Sequence, residues 1–247
     1  GGGSGAGGTG ASGGGEGGRA PLALTEVSLA PADGKRDDRF GADVAISGNT
    51  LLVGAPGRTT SKPDAGAAYV YVRDSSGVWT EEAQLTASTG LAYDQIGRAV
   101  DIDGDFAIVA GNGPLQGAPD SFYHNSAVIF ERSGGVWAQA ANLNPLTDAY
   151  TDPYENSFGA AVAISGSTAA VGAPRYALTG SGFLPGAVFL FERDGAGVWS
   201  LATKLQIPDS NFLGDSVALD GSVLFVGVSG ANFVQVYERG EAGWSPT

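Results

Sequence analysis

The chain has 247 residues, 43% of them hydrophobic and 16% charged, enough apolar material for a core and too little charge for a disordered acidic protein. With 13 Lys and Arg against 26 Asp and Glu, the net charge of −13 repels polyanions, so nucleic acid and anionic lipid surfaces are excluded as partners. No apolar run is long enough to span a membrane, there is no Cys for disulfide or thiol chemistry, and with Gly at position 1 and no Met the chain reads as one whose export signal has been removed.

Residues 1–24 form a Gly-rich N-terminal arm, and residues 25–247 form the folded unit. Gly1 to Gly18 holds twelve glycines and only Ala as an apolar residue, which cannot offset the entropy of ordering and reads as a flexible linker. Thr25–Ala30, TEVSLA, reads as a strand. The charged run Lys35-Arg36-Asp37-Asp38-Arg39 reads as a surface loop. Phe40–Pro56, FGADVAISGNTLLVGAP, then sets two apolar runs around Ser47-Gly48, a two-residue turn of the kind that gives tight hairpins their positive φ angles. Ala67–Arg73 alternates aromatic with small residues as a half-buried strand, and Trp79–Leu85 follows after a turn.

The same order returns three times. Ile96–Asn112 turns at Asp103-Gly104, Phe158–Pro174 at Ser165-Gly166, and Leu213–Ser229 at Asp220-Gly221. Strand pairs Ala127–Arg132 with Trp137–Leu143, and Ala187–Arg193 with Trp199–Leu205, complete the second and third copies. The anchor glycines Gly41, Gly97, Gly159 and Gly214 lie 56, 62 and 55 residues apart, a period that belongs to repeat architectures. Four antiparallel strands per repeat is the unit of a propeller blade, so the expected fold is all-β: a β-propeller of four four-stranded blades.

The Phe-Gly start and Val-Gly-Ala-Pro end of the hairpin, with the following Gly-Ala-Val-Tyr/Phe and Trp-led strands, resemble FG-GAP repeats, the blades of integrin-type β-propellers and of many bacterial surface proteins. The resemblance runs from Thr25 to Trp244, tightly in the first and third copies and more loosely in the second and fourth. It implies an extracellular or cell-surface protein with a structural or adhesive role. Many relatives insert a calcium loop between the hairpin strands. Here the turns are too short, and Asp101, Asp103 and Asp105 read as an acidic hairpin tip, so no metal and no cofactor is expected.

Trp244 has only three residues after it, whereas Leu85, Leu143 and Leu205 follow their Trp by six. Leu29 precedes Phe40 by the eleven positions that separate Leu85 from Ile96, so the N-terminal strand is expected to close the ring by completing the fourth blade, through Val27, Leu29, Tyr237 and Trp244. The competing arrangements are a longer chain with further blades and two chains joined in an eight-bladed ring.

His124 is the only histidine, and no nucleophile elbow precedes a helix, so the chain is not expected to be an enzyme. The four tryptophans, at one position in each repeat, read as blade-packing residues. Ligand contacts are expected instead in the loops, at Tyr123, His124, Tyr150, Tyr154, Tyr176 and Phe183. The partner is expected to be another copy, head to tail, or a surface protein or glycan. In the first case the arm (Gly1, Gly2, Gly3, Gly7, Gly8, Gly13, Gly14 and Gly15) docks at the channel of the next subunit against Ala42, Asp43, Arg98, Ala160 and Asp215, making a fibre. A lectin-like binder and a secreted polysaccharide hydrolase or lyase are the alternatives.

Overall fold

The computed structural model describes residues 26–88, 91–114, 123–143, 157–176, 184–207 and 210–247; the Gly-rich arm lies outside these residues. They form four four-stranded antiparallel sheets, each built from consecutive strands. The first holds β1 (Val44–Ser47), β2 (Thr50–Ala55), β3 (Ala67–Arg73) and β4 (Trp79–Leu85); the second β5 (Ala99–Asp103), β6 (Phe106–Pro114), β7 (Tyr123–Ser133) and β8 (Val136–Leu143). The third holds β9 (Ala161–Ser165), β10 (Thr168–Ala173), β11 (Ala187–Arg193) and β12 (Trp199–Leu205); the fourth β13 (Leu213–Asp220), β14 (Val223–Val228), β15 (Phe233–Gly240) and β16 (Gly243–Pro246). Two single 3-10 turns, Arg36–Asp38 and Ser229–Ala231, are the only helices among the described residues. These sheets are the expected blades.

Each blade starts on its X-Gly turn. Gly48, Gly104, Gly166 and Gly221 have φ of 54° to 57°, the left-handed backbone that a two-residue hairpin loop needs. The anchor glycines are left-handed too, and the N–H of Gly41, Gly97 and Gly159 donates to the carbonyl of Gly54, Ala110 and Gly172, folding the start of a blade onto its own second strand. The aromatic before an anchor then drops into its blade: Phe40 meets Tyr69 and Tyr71 edge-to-face at 5.6 and 6.1 Å, and Phe158 meets Phe189 and Phe191 at 5.5 and 6.3 Å.

Adjacent blades bury one face each against the other. Leu52, Ala68, Val70 and Leu85 of the first blade pack on Ile96, Val100, Ile102 and Val109 of the second. Ile108, Ile129 and Leu143 of the second pack on Phe158, Val171, Phe189 and Trp199 of the third. Leu190 and Leu205 of the third pack on Leu213, Leu224, Val226 and Tyr237 of the fourth. Trp137, Trp199 and Trp244 join these clusters, and Trp79 packs with Phe40, Tyr69 and Tyr71 on the first blade.

Two expectations about the chain ends need correction. Residues 26–30 form no strand, and the fourth blade draws its outer strand, β16, from its own chain. Val27 is exposed, Leu29 packs with Phe40 and Trp79 on the first blade, and Tyr237 and Trp244 pack towards the third blade rather than across a ring closure. The physical reason is local: the Gly243 turn lets β16 fold straight back on β15, so the Tyr237–Gly240 stretch of that edge is taken. In the charged run Lys35, Arg36, Asp37 and Arg39 are exposed as expected, but Asp38 is buried against Arg58, whose guanidinium donates to it at 2.7 Å and also grips Asp33.

Candidate functional site

The inner strands β1, β5, β9 and β13 stand side by side and line one cavity of about 650 Å³. Its wall mixes alanines with Val and Ile side chains, since Ala42 and Ala160 follow the first and third anchor glycines and Arg98 follows the second, and this brings the expected Ala42, Asp43, Arg98 and Ala160 together. Asp215 lies outside the lining, with its carboxylate accepting a hydrogen bond from Ser229 Oγ.

The acidic groups of this wall are committed to the backbone. Asp43 Oδ2 accepts from the Val100 N–H at 2.8 Å, across the first junction, and its Oδ1 from Val44 N–H at 3.0 Å. Asp101 repeats the arrangement one blade on, accepting from Ile164 N–H at 2.7 Å and Ile102 N–H at 2.9 Å. Burial pushes the Asp101 carboxyl above its ordinary value, partly offset by those two N–H donors. Asp103 accepts from Gly166 N–H at 2.7 Å, and Asp105 accepts from Arg132 Nε at 2.8 Å. The three aspartates therefore point to three different protein donors, and among the described residues no three His, Cys, Asp or Glu side chains converge on a common point. Arg98 is exposed in the wall, with no carboxylate partner among the described residues.

Of the loop candidates, Tyr176 is buried in the core, edge-to-face with Phe189 at 5.5 Å, and its hydroxyl accepts from Lys204 Nζ at 2.9 Å. It is a packing residue. The backbone of Tyr123 and His124 extends β7, pairing with Pro114 and Gly113, while their side chains, with Tyr150, Tyr154 and Phe183, lie outside the described residues. Tyr69 and Tyr71 are buried too, and burial pushes both hydroxyls up to about 12, which keeps them protonated partners of Gln84 and Glu81 rather than bases.

Sequence reasoning missed a chain of ion pairs along the blades. Arg132 bonds Glu82 of the blade before it at 3.3 Å, Arg193 bonds Glu131 at 3.2 Å, and Arg239 bonds Glu192 at 2.8 Å. The signal was present: Glu-Arg ends the third strand of the last three blades, as Glu131-Arg132, Glu192-Arg193 and Glu238-Arg239.

The comparisons agree with this geometry. No curated protein matches the chain. The family model of the FG-GAP repeat matches residues 24–71 and 79–119, which span the first blade and the inner hairpin of the second. The third and fourth blades repeat the same anchor glycines and X-Gly turns in the same sheet order. The chain thus carries FG-GAP repeats over its first two blades, within a fold of four propeller-type blades.

Proposed function

We propose that this is a non-enzymatic adhesion or structural module of the cell surface or extracellular space, and that the inner-strand wall around Arg98 is its contact surface. One observation supports it most: the carboxylates of the wall are spent on backbone N–H groups of neighbouring blades, while Arg98 stands exposed among small side chains. A guanidinium in a shallow field of alanines suits a partner that offers carboxylate or hydroxyl groups, such as a glycan or an acidic peptide segment. The FG-GAP repeats favour the adhesive role, since such propellers often serve adhesion or ligand binding. Small residues around the cavity also leave room for a glycine backbone, which supports docking of the Gly-rich arm of another copy there.

The test is binding of the immobilised full chain to glycan and matrix-protein arrays, with Arg98→Ala alongside. Retained binding by wild type and loss of signal in the variant, at equal melting temperature, supports the reading. Turnover of a polysaccharide or ester panel by the purified protein would overturn it.

A further inference from the structure

Blades in this molecule join by a fixed set of contacts, and the two outermost faces each hold half a set. In the turn contact, the Gly N–H of one blade donates to the turn side chain of the blade before: Gly104 to Ser47 Oγ at 3.0 Å, Gly166 to Asp103 at 2.7 Å, Gly221 to Ser165 Oγ at 3.0 Å. Asp220 is the next acceptor in that series and Gly48 the first donor, and both are exposed. In the ion-pair contact, Arg193 reaches Glu131 and Arg239 reaches Glu192. Continuing the pattern pairs Arg73 of the first blade with Glu238 of the fourth, and these two are also exposed.

The apolar contact is split in the same way. Val100, Ile102, Val162 and Ile164 are at most 9% exposed because the preceding blade covers them, whereas Val44 and Ile46, at the same positions of the first blade, are 59% and 63% exposed. On the opposite face, Leu52, Ile108 and Ala170 are fully buried, and Phe225 at that position of the fourth blade is 48% exposed; Val234, matching buried Ala68, Ala127 and Val188, is 60% exposed. Backbone is left over as well. β16 pairs only Tyr237–Gly240, with Thr247 N–H reaching Val236, so among the described residues the outer edge of Phe233–Gln235 lacks the partner that Leu85, Leu143 and Leu205 bring elsewhere. Leu29 already occupies, on the first blade, the place that Leu85 takes on the second.

Each leftover on one face thus matches a leftover on the other: donor with acceptor, cation with anion, apolar with apolar, unpaired segment with open edge. Among the described residues the two faces are not packed together within one chain, since β1 and β13 lack the strand-on-strand packing that joins β1 to β5, β5 to β9 and β9 to β13. We propose that two copies join head to tail, the first blade of each seated on the fourth blade of the other, to close an eight-bladed ring in which residues 26–30 of one copy add to the β15 edge of the other. Eight is within the range of about four to eight blades over which such rings close, and a third copy would exceed it. The assembly does not depend on the adhesive reading.

The experiment is sedimentation of the full chain and two charge reversals, Arg73→Glu and Glu238→Arg, with circular dichroism to confirm folding. Wild type is expected at twice the 24.8 kDa chain mass. Each reversal alone places like charges at both junctions and weakens dimerisation by about tenfold, whereas an equimolar mixture restores it, because the mixed ring pairs opposite charges at both junctions. Phe225→Glu, at an exposed position, leaves a folded monomer. A wild-type monomer at tens of micromolar would overturn the proposal, whether the ends close within one chain or await a further blade of a longer protein; so would a mixture no better than its components.

Discussion

Replacing Gly54 by Ala tests how rigid the blade junctions are. Gly54 sits in β2 with ordinary strand backbone, so Ala there carries no left-handed penalty, and the cost comes only from what the new methyl meets. It would lie 1.9 Å from the Gly97 carbonyl oxygen and 2.8 Å from its carbon, both main-chain atoms of the next blade. That oxygen must retreat by about 1 Å, but Gly97 is held from two sides: its N–H bonds the Ala110 carbonyl at 3.0 Å, and its Cα faces the Ala67 carbonyl. Overpacking of this kind costs about 1–3 kcal/mol. For a chain of this size the melting temperature falls by about 2–4 °C per kcal/mol, giving a loss of roughly 2–12 °C. The second junction already holds a methyl at the matching position, Ala110, 3.2 Å from where a Cβ on Gly159 would stand, so spreading to that spacing sets the lower end. Gly104→Ala is the comparison, since its Cβ meets nothing within 4 Å and the cost is the left-handed φ of +57° alone, about 1–2 kcal/mol. Thermal melts by circular dichroism read both. A Gly54→Ala midpoint within 1 °C or so of wild type would refute the reasoning, since the junction would then be loose enough to absorb the clash.

Arg58→Ala should lower stability by about 3–5 kcal/mol, measured by urea titration, because it leaves the Asp38 carboxylate buried without its cation; replacing both residues with apolar side chains should cost less. Because burial raises the Asp101 carboxyl, its contribution to stability is fullest below the ordinary carboxylate value near 3.8 and is lost as pH rises through the raised folded value. The difference in melting temperature between wild type and Asp101→Asn should therefore move in favour of wild type on going from pH 7 towards pH 4, and a difference that is flat with pH would contradict this. EDTA should leave the melting curve unchanged, since Asp101, Asp103 and Asp105 each hold a protein donor; a drop of several degrees would show that they bind a cation.

The repeat was legible because its punctuation is local. An X-Gly pair dictates its own turn and a Trp marks the start of a strand whatever lies across the sheet, so the strand bounds read at Ala67–Arg73, Trp79–Leu85 and Ala187–Arg193 are those observed. What was misread depends on distant partners. The alternation in residues 26–30 is the same with or without a neighbouring sheet, and only the fold shows that β16 holds the nearer edge. Asp38 looked like one of a surface pair because the arginine that buries it is 20 residues away. Tyr176 follows a Gly-Ala-Pro segment that reads as loop, yet the ring turns inward onto Phe189. The wall around Arg98 was half legible: Ala42, Arg98 and Ala160 directly follow their anchor glycines, but the aspartates' amide partners lie 57 and 63 residues ahead.

The short outer strand of the fourth blade also sets a timetable for fluctuation. Among the described residues the main packing runs between blades adjacent in sequence, so opening free energies should be graded along the chain rather than uniform. In a single chain, with no second copy seated on the fourth blade, a strand fastened by four residue pairs on a blade with one covered face is the first place to fray. In chains diluted to monomers, amide protons of β15 should thus exchange with solvent before those of β11, its counterpart in the doubly flanked third blade, leaving one quick, breathing margin beside a slow interior.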